Sequence, residues 1–478
     1  MNTDITKKTN TGTKKIIGVI SVAVLGGAIF VGGSYWAGIS AEQQFHDNAK
    51  QFSQLGPMLS DQLSAQLGTE LKLDTKMTVI EYKRGIFGAT ARTEFVLGPS
   101  EGGEDSVTVP FNHDIRHGPI LSFGSMAHVR SELVLPEKVI ADLVEKFGKD
   151  PFDGKAPLTV ESTFSFLGGG GADVRIISPK VEFEAEDTRI SWGGLDGKIT
   201  ANSDISKFKS DLVMNDLSIT KTDPDRPSRQ EQFQMERLTL KFDTEKPKGF
   251  QKLFVGTSSL AAKKLSFQGP DTANEIRSFV LENAYIKTDT KLKSEEITIN
   301  SKLGADTYTF STDGKSKTTI DKPEVTFLFE NLDASALDKV MQAAQGQDEY
   351  ALSSTVKQHL GDFLKRKPVF AIKNLRAGTP EGVTKGDFSI AYTGNGDPEK
   401  LSPTNLAVDL EVDLKFSFPA DLVSRLGGED GAAALLVLGS QGILVEKKGI
   451  LGLEASYKKG VLTLNGKETS LEDLKRKF

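Results

Sequence analysis

Apolar residues recur along this chain with three different periods. Ile16 to Ile39 is a run of 24 residues without a charge. Coiled as a helix at about 1.5 Å per residue it reaches about 36 Å, enough to cross a hydrocarbon core. Leu55, Leu59, Leu63 and Leu67 then recur every fourth position, one apolar helical stripe that Gly56-Pro57 breaks or restarts. From Glu70 the period falls to two. The stretch from Leu71 to Gly98 alternates apolar and polar residues, turns at Arg84-Gly85 and closes at Gly98-Pro99, which predicts paired antiparallel strands.

The same alternation returns at 157–166, 174–190, 198–220, 235–243, 277–288, 293–311, 324–332, 368–376, 385–393 and 405–418. Turn-rich segments at 98–106, 168–171, 222–228, 269–273 and 394–398 separate these runs. Few helical patterns lie between them, so repeated parallel βαβ units are not expected. Helical spacing predicts short helices at Pro136–Phe147, within Ala334–Lys365, and as a pair at Pro419–Leu426 and Ala432–Leu444. The apolar ALLVLGSQGILV of that pair is too short to span a bilayer and reads as a buried helix. The expected fold class is α+β, mainly antiparallel β: a single N-terminal transmembrane helix, then an elongated β-rich body with minor helices.

Charge orients this plan. The arm before the apolar run carries Lys7, Lys8, Lys14 and Lys15 against Asp4, and Glu42 and Asp47 follow the run. The positive-inside rule therefore predicts a cytoplasmic arm at 1–15, a transmembrane anchor at 16–39, a helical stalk at 40–68 and an exported β-rich body at 69–478, with a subdivision near 221–231. Tyr35 and Trp36 lie near the exit, at headgroup depth. A cleaved signal peptide is the competing reading, but its apolar core usually runs only about 7–15 residues. Small-residue pairs Ala23/Gly27, Ala28/Gly32 and Gly33/Ala37 offer a surface on which two anchors would form a homodimer.

Composition narrows the chemistry. The 478 residues contain no Cys, which excludes disulfides, thiolate metal sites and Cys nucleophiles. The net charge is −6 overall and −9 beyond the Lys-rich arm, which argues against nucleic acid as a partner. His113 and His117 form the one close His pair; on a strand they share a face, with Asp114 on the other, and they read as structural in preference to metal-binding or catalytic. His46, His128 and His359 are isolated. Gly314–Ser316 (GKS) has Thr309 where a P-loop needs its first glycine, Gly168–Gly171 lacks dinucleotide spacing, and Leu438–Gly442 misses a nucleophile elbow by one position. The acidic side chains at Glu182, Glu184 and Glu186 alternate onto one solvated strand face, and neither they nor Asp223–Asp225 have calcium-loop spacing. No catalytic, cofactor-binding or metal residue is assigned, and no cofactor is expected.

Two further patterns concern packing. Phe outnumbers Tyr by 28 to 7, and the runs TFSF (163–166), TFLF (326–329) and KFSF (415–418) send Phe to one sheet face. Such a face is either a core packed against the helices or an open groove for acyl chains; the core is the plainer expectation. Asn215, Asn283, Asn331 and Asn374 each follow a short β-type run at irregular intervals, which suggests shared turn chemistry before a true repeat.

The motifs YKRGIF (82–87) and HDIRHGP (113–119) resemble those of the YdgA-like family of Gram-negative envelope proteins, whose function is undefined. SWGGLDG (191–197), LFVGTSSL (253–260), ENLDASAL (330–337) and YKKGVLTLNGK (457–467) fit the same pattern in order. The resemblance covers nearly the whole chain from Ile16 and implies an inner-membrane anchor with a periplasmic β-rich body. It supplies no reaction. The functional expectation is a non-enzymatic envelope protein that binds or scaffolds. The alternatives are lipid binding or transfer in a Phe-lined β groove, and an envelope hydrolase using carboxylates.

Overall fold

A computed structural model describes residues 73–470, apart from 100–106, 118–124, 166–170, 186, 205, 224–225, 270–277, 312–316, 345–348 and 395–407. The expected arm, anchor and stalk lie outside the described residues. Among the described residues no helix is long and apolar enough to cross a membrane. The fold is mainly antiparallel β with few helices, and the chain divides into two compact units at Ile219/Thr220.

The first unit contains β1 (Leu73–Arg84), β2 (Gly88–Pro99), β3 (Val107–His117), β4 (Ser125–Leu133), α1 (Glu137–Phe147), β5 (Thr159–Ser165), β6 (Gly171–Ser178), β7 (Val181–Ala185), β8 (Thr188–Trp192), β9 (Leu195–Asn202) and β10 (Lys207–Met214). β11 (Leu217–Asp223) spans the division. Strands β1 to β6 pair with their sequence neighbours, β9 joins β6 to β10, and β7–β8 is a hairpin whose β8 also pairs with β11. Strand alternation then sorts the side chains. Phe95, Val109, Phe111, Ile115, Val129, Leu133 and Val160 point into one continuous core, while Arg116, Asp114 and Arg130 stay in water. Helix α1 presents Val139, Leu143 and Phe147, spaced every fourth residue, to that core and ends where Gly148 turns left-handed (φ 73°) and donates to the Val144 carbonyl. Phe183 of the β7–β8 hairpin meets the Phe147 ring at 5.3 Å.

One polar row crosses this core. Thr93 on β2, His113 on β3 and Ser131 on β4 are all buried. His113 Nε2 lies 2.9 Å from Thr93 Oγ1, and its Nδ1 lies 2.8 Å from Ser131 Oγ. A neutral imidazole has one N–H and one lone pair, so one hydroxyl accepts and the other donates. Burial pushes the His113 imidazole down to about 3 and keeps it neutral.

The second unit is a wide meander of β12 (Arg226–Glu245), β13 (Val255–Gln268), β14 (Ser278–Lys293), β15 (Glu296–Gly304), β16 (Thr307–Ser311), β17 (Thr318–Asp333), β18 (Val369–Thr379), β19 (Gly382–Tyr392), β20 (Leu410–Pro419), β21 (Val445–Lys447), β22 (Ile450–Lys458), β23 (Val461–Leu464) and β24 (Lys467–Thr469). β15 and β16 lie end to end between β14 and β17, and β22 follows β20. Between β17 and β18 the expected helical stretch forms two helices, α2 (Ala334–Ala344) and α3 (Glu349–Lys365). The small core holds Leu253, Ile297 and Ala334, with Leu337 and Met341 of α2 packed against it. Its polar anchor is Asp338. This buried carboxylate accepts the backbone N–H groups of Gln251, Lys252 (2.6 Å) and Leu253 (2.8 Å), and the Gln342 amide. Burial alone would raise its pKa, but the three N–H groups and the amide together hold it below the ordinary carboxylate value.

The recurrent asparagines are turn chemistry. Asn283, Asn331 and Asn374 are left-handed, with φ of 51°, 59° and 56°. Asn331 sits where the β15–β17 register shifts between Ile297 and Ile299, and Asn374 where β18–β19 shifts between Ile372 and Leu375. Asn tolerates this region better than other non-glycine residues. Asn215 is not left-handed; its amide donates to the Gly193 carbonyl.

One expectation is overturned. The pair predicted at 419–444 forms, as two helical segments that meet at a kink at Gly428 (φ 58°) within α4 (Ala420–Ser440), but its apolar half is not the buried helix expected. Leu436 is 75% exposed and Val437 is 52% exposed. Ile443 and Leu444, past the helix end, are buried, and there Asn465 donates to the carbonyls of Gly442 and Ile443. The residues clamped to the sheet edge are those after the helix.

Two outcomes follow. Asn331→Gly should leave chemical stability nearly unchanged, whereas Asn331→Val should lose about 1–2 kcal/mol in denaturant titration, because a β-branched residue is strained at φ 59°. For His113 the unfolded chain protonates first, near its ordinary value of 6.5, so stability is complete above that pH and declines as pH falls toward 3. The slope should approach about 1.4 kcal/mol per pH unit. It should flatten in the Thr93→Val/His113→Leu/Ser131→Ala triple variant, which removes all three polar groups together.

Candidate functional site

The residues singled out by chemistry do not converge. His113 is sealed in the first core, Asp114 on the outer face pairs with Arg116 (3.2 Å), and the His117 side chain lies outside the described residues. His128 meets Thr163 Oγ1 at 3.2 Å and His359 meets Asp362 at 3.1 Å, on different elements. Glu182 and Glu184 are exposed on β7, with Val181 and Phe183 turned inward, as the alternation required. Gly314–Ser316 and Gly168–Gly170 fall outside the described residues. Among the described residues no group of three or more His, Asp or Glu could hold a metal ion.

What does converge is apolar. Register partners in an antiparallel sheet share a face. In the second unit Leu240, Leu260, Ile286, Leu303 and Val325 stand opposite one another across β12, β13, β14, β15 and β17. The rows beside them continue along the same face. Phe327 pairs with Ile372, then Phe388 and Leu414; Phe329 pairs with Phe370, then Ile390 and Val412. The Phe329 and Phe370 rings lie 4.9 Å apart, and Phe370 and Phe388 lie 6.2 Å apart. Both spacings are within the range of attractive ring pairs. A short row of hydroxyls, Ser258, Thr288 and Ser301, interrupts the strip; Thr288 and Ser301 hydrogen-bond to each other at 3.0 Å.

The opposite face of β12 to β15 is polar. Lys241, Ser259, Lys287 and Lys302 form one row, and Asp243, Thr257, Asp289 and Asn300 the next. Lys302 bonds Glu324 at 2.7 Å, and that bond holds the Glu324 carboxyl below its ordinary value. The sheet is thus amphipathic.

The apolar face is incompletely covered. Helix α2 reaches Ile299, Leu292 and Leu332 at one end of it. Beyond that end Phe329 is 37% exposed, Leu260 and Ile286 are exposed, and Phe327, Phe370, Phe388 and Ile390 are only half-buried. On β17 and β18 the buried side chains beside this strip, Thr326, Leu328 and Ala371, belong to the other face. The expectation of a Phe core against helices therefore holds for Phe164 in the first unit, and not for Phe327 and Phe329. The alternating TFLF run identified these rings; only strand register shows that they join one continuous strip.

Over residues 13–472 the chain matches a family described as bacterial protein of unknown function, DUF945. It is 22% identical to protein YdgA of Escherichia coli (strain K12), an alignment that covers 96% of this chain and 95% of that protein. No solved structure matches it. The family match takes in both units, the core around His113 and the Phe-rich face alike, and the chain belongs to the DUF945 family, within which it is YdgA-like.

Proposed function

We propose that this chain is a non-enzymatic protein of the cell envelope, held in the inner membrane by residues 16–39, whose periplasmic second unit binds the acyl chains of a lipid. The single observation behind the ligand is the uncovered strip around Phe327, Phe329, Phe370 and Phe388. Phe has no polar atom to satisfy, so the strip offers a dry surface. Each methylene laid on it would contribute roughly 0.8 kcal/mol before the costs of ordering the chain. The Ser258–Thr288–Ser301 row supplies hydroxyls for an ester or headgroup at one point of that surface. The first unit, with its filled core, would act as a spacer or platform.

The test is photo-crosslinking in cells. A photoreactive residue at Phe329 or Phe388 should capture phospholipid, and one at Lys287 on the opposite face should not. Phe329→Asp/Phe388→Asp, in a protein with unchanged thermal melting, should abolish lipid capture from position 370. Protein adducts without lipid would overturn this reading and favour a scaffold. The topology has its own check: a reporter fused after Ser40 should be active only when it folds in the exported compartment, and cytoplasmic activity would refute the orientation.

A further inference from the structure

The turn between β1 and β2 is built from residues that turns ordinarily avoid. Gly, Asn, Asp, Ser and Pro dominate such positions. Here the tip is Gly85-Ile86-Phe87-Gly88, with Ile86 86% exposed and Phe87 54% exposed. Its backbone is tightly held. Gly85 N–H donates to the Gly88 carbonyl at 2.7 Å, and a Cβ on Gly88 would stand 2.5 Å from the Ile115 carbonyl oxygen of β3. The glycines permit a close turn braced by a third strand, and that turn presents two large apolar side chains to solvent. Leaving both in water forfeits the burial each would gain elsewhere.

The charges beside the tip point to the occupant. Lys83 and Arg84 precede it on β1, and Arg92 lies behind them on β2; both lysine and Arg92 side chains are exposed. Glu81 faces this group and pairs with Lys83 at 2.6 Å. On β3, Asp114 and Arg116 pair with each other. With Glu94, 4.0 Å from Arg92, the collar holds Lys83, Arg84, Arg92 and Arg116 against Glu81, Glu94 and Asp114, one net positive charge on a chain that is net −9 beyond its N-terminal arm. Apolar side chains ringed by Lys and Arg suit the boundary of an anionic bilayer, where the rings enter the acyl region and the cations meet phosphate.

We infer that the β1–β2 tip is a second membrane contact, inserting Ile86 and Phe87 into the headgroup–acyl boundary of an anionic bilayer. This rests on the proposed membrane anchoring and is independent of the lipid-binding face. The tip would hold the first unit against the bilayer in which residues 16–39 are embedded.

The absence of native cysteine makes the test direct. Full-length Ile86→Cys, labelled with an environment-sensitive dye, is reconstituted into vesicles of phosphatidylethanolamine and phosphatidylglycerol. The dye should shift to the blue and lose roughly half or more of its emission to nitroxides placed about 5–10 Å below the headgroups. A dye at Lys198→Cys, on the outer face of β9, should do neither. Adding Lys83→Glu/Arg84→Glu to the labelled variant leaves the apolar tip in place and should abolish the shift. An unquenched tip in a chain that floats with the vesicles overturns the inference while leaving the anchor intact. A chain that does not float overturns the anchoring and this inference together. Quenching that survives the charge reversal overturns the role given to the collar.

Discussion

Everything in this protein hangs on the pleat of an antiparallel strand, which sends successive side chains to opposite faces with a period of two. Once neighbouring strands are in register, each row of partners belongs to one face, and one misplaced residue would exchange the faces of a whole strand. The first unit applies this rule along β2, β3 and β4: Phe95, Val109, Phe111, Ile115 and Val129 go in, and Asp114, Arg116 and Arg130 stay out. The second unit follows the same rule through β12 to β20, with lysine and aspartate rows behind an apolar strip.

The two units differ in what covers the apolar face. In the first, α1 and the β7–β8 hairpin add Leu143, Phe147, Val181, Phe183, Ile190 and Trp192 to the core, so the sheet closes over packed side chains. In the second, α2 contributes Leu337 and Met341 at one end, and the strip runs on past that cover. The apolar half of α4, whose Leu436 and Val437 face solvent, adds nothing to the core. Ion pairs do not make up the difference. Lys291–Asp289 and Lys263–Glu236 are solvent-exposed pairs, and such pairs contribute only about 0–1 kcal/mol each. The second sheet is held chiefly by its own ladders and by the buried Asp338, which fixes the Gln251–Leu253 backbone to α2.

Much of this was legible in the amino-acid order. Alternation at 157–166, 324–332 and 385–393 predicted strands because period two has no helical equivalent, and the Pro136–Phe147 stripe predicted α1 with its core-facing residues. The irregular spacing of Asn283, Asn331 and Asn374 pointed to turn chemistry, and their left-handed backbones show it. Two things were not legible. Whether α4 would be buried depends on what packs against it, and ALLVLGSQGILV reads the same in either case. That Leu240, Leu260 and Ile286 would meet Phe327 and Phe388 on one surface depends on the registers of strands far apart in sequence. The asparagine at 374 shifts one of those registers without announcing by how much.

Register also explains why polar groups lie in places where apolar ones would pack as well. Thr93, His113 and Ser131 form hydrogen bonds across three strands in the middle of an otherwise apolar core. A slip of β3 by one residue would break both bonds and carry Asp114 inward in place of the imidazole, leaving an ionised group without a partner in a dry interior. An all-apolar row would resist a slip of two residues less, because that slip keeps Phe111 and Ile115 on the core face while it parts the imidazole from both hydroxyls. The same reasoning applies to the left-handed asparagines, since each marks one position where the strand departs from regular pleating and β-branched neighbours cannot follow. In the first unit this selects which residues are sealed inside. In the second, where one apolar face is left partly open, it selects which residues the open surface displays.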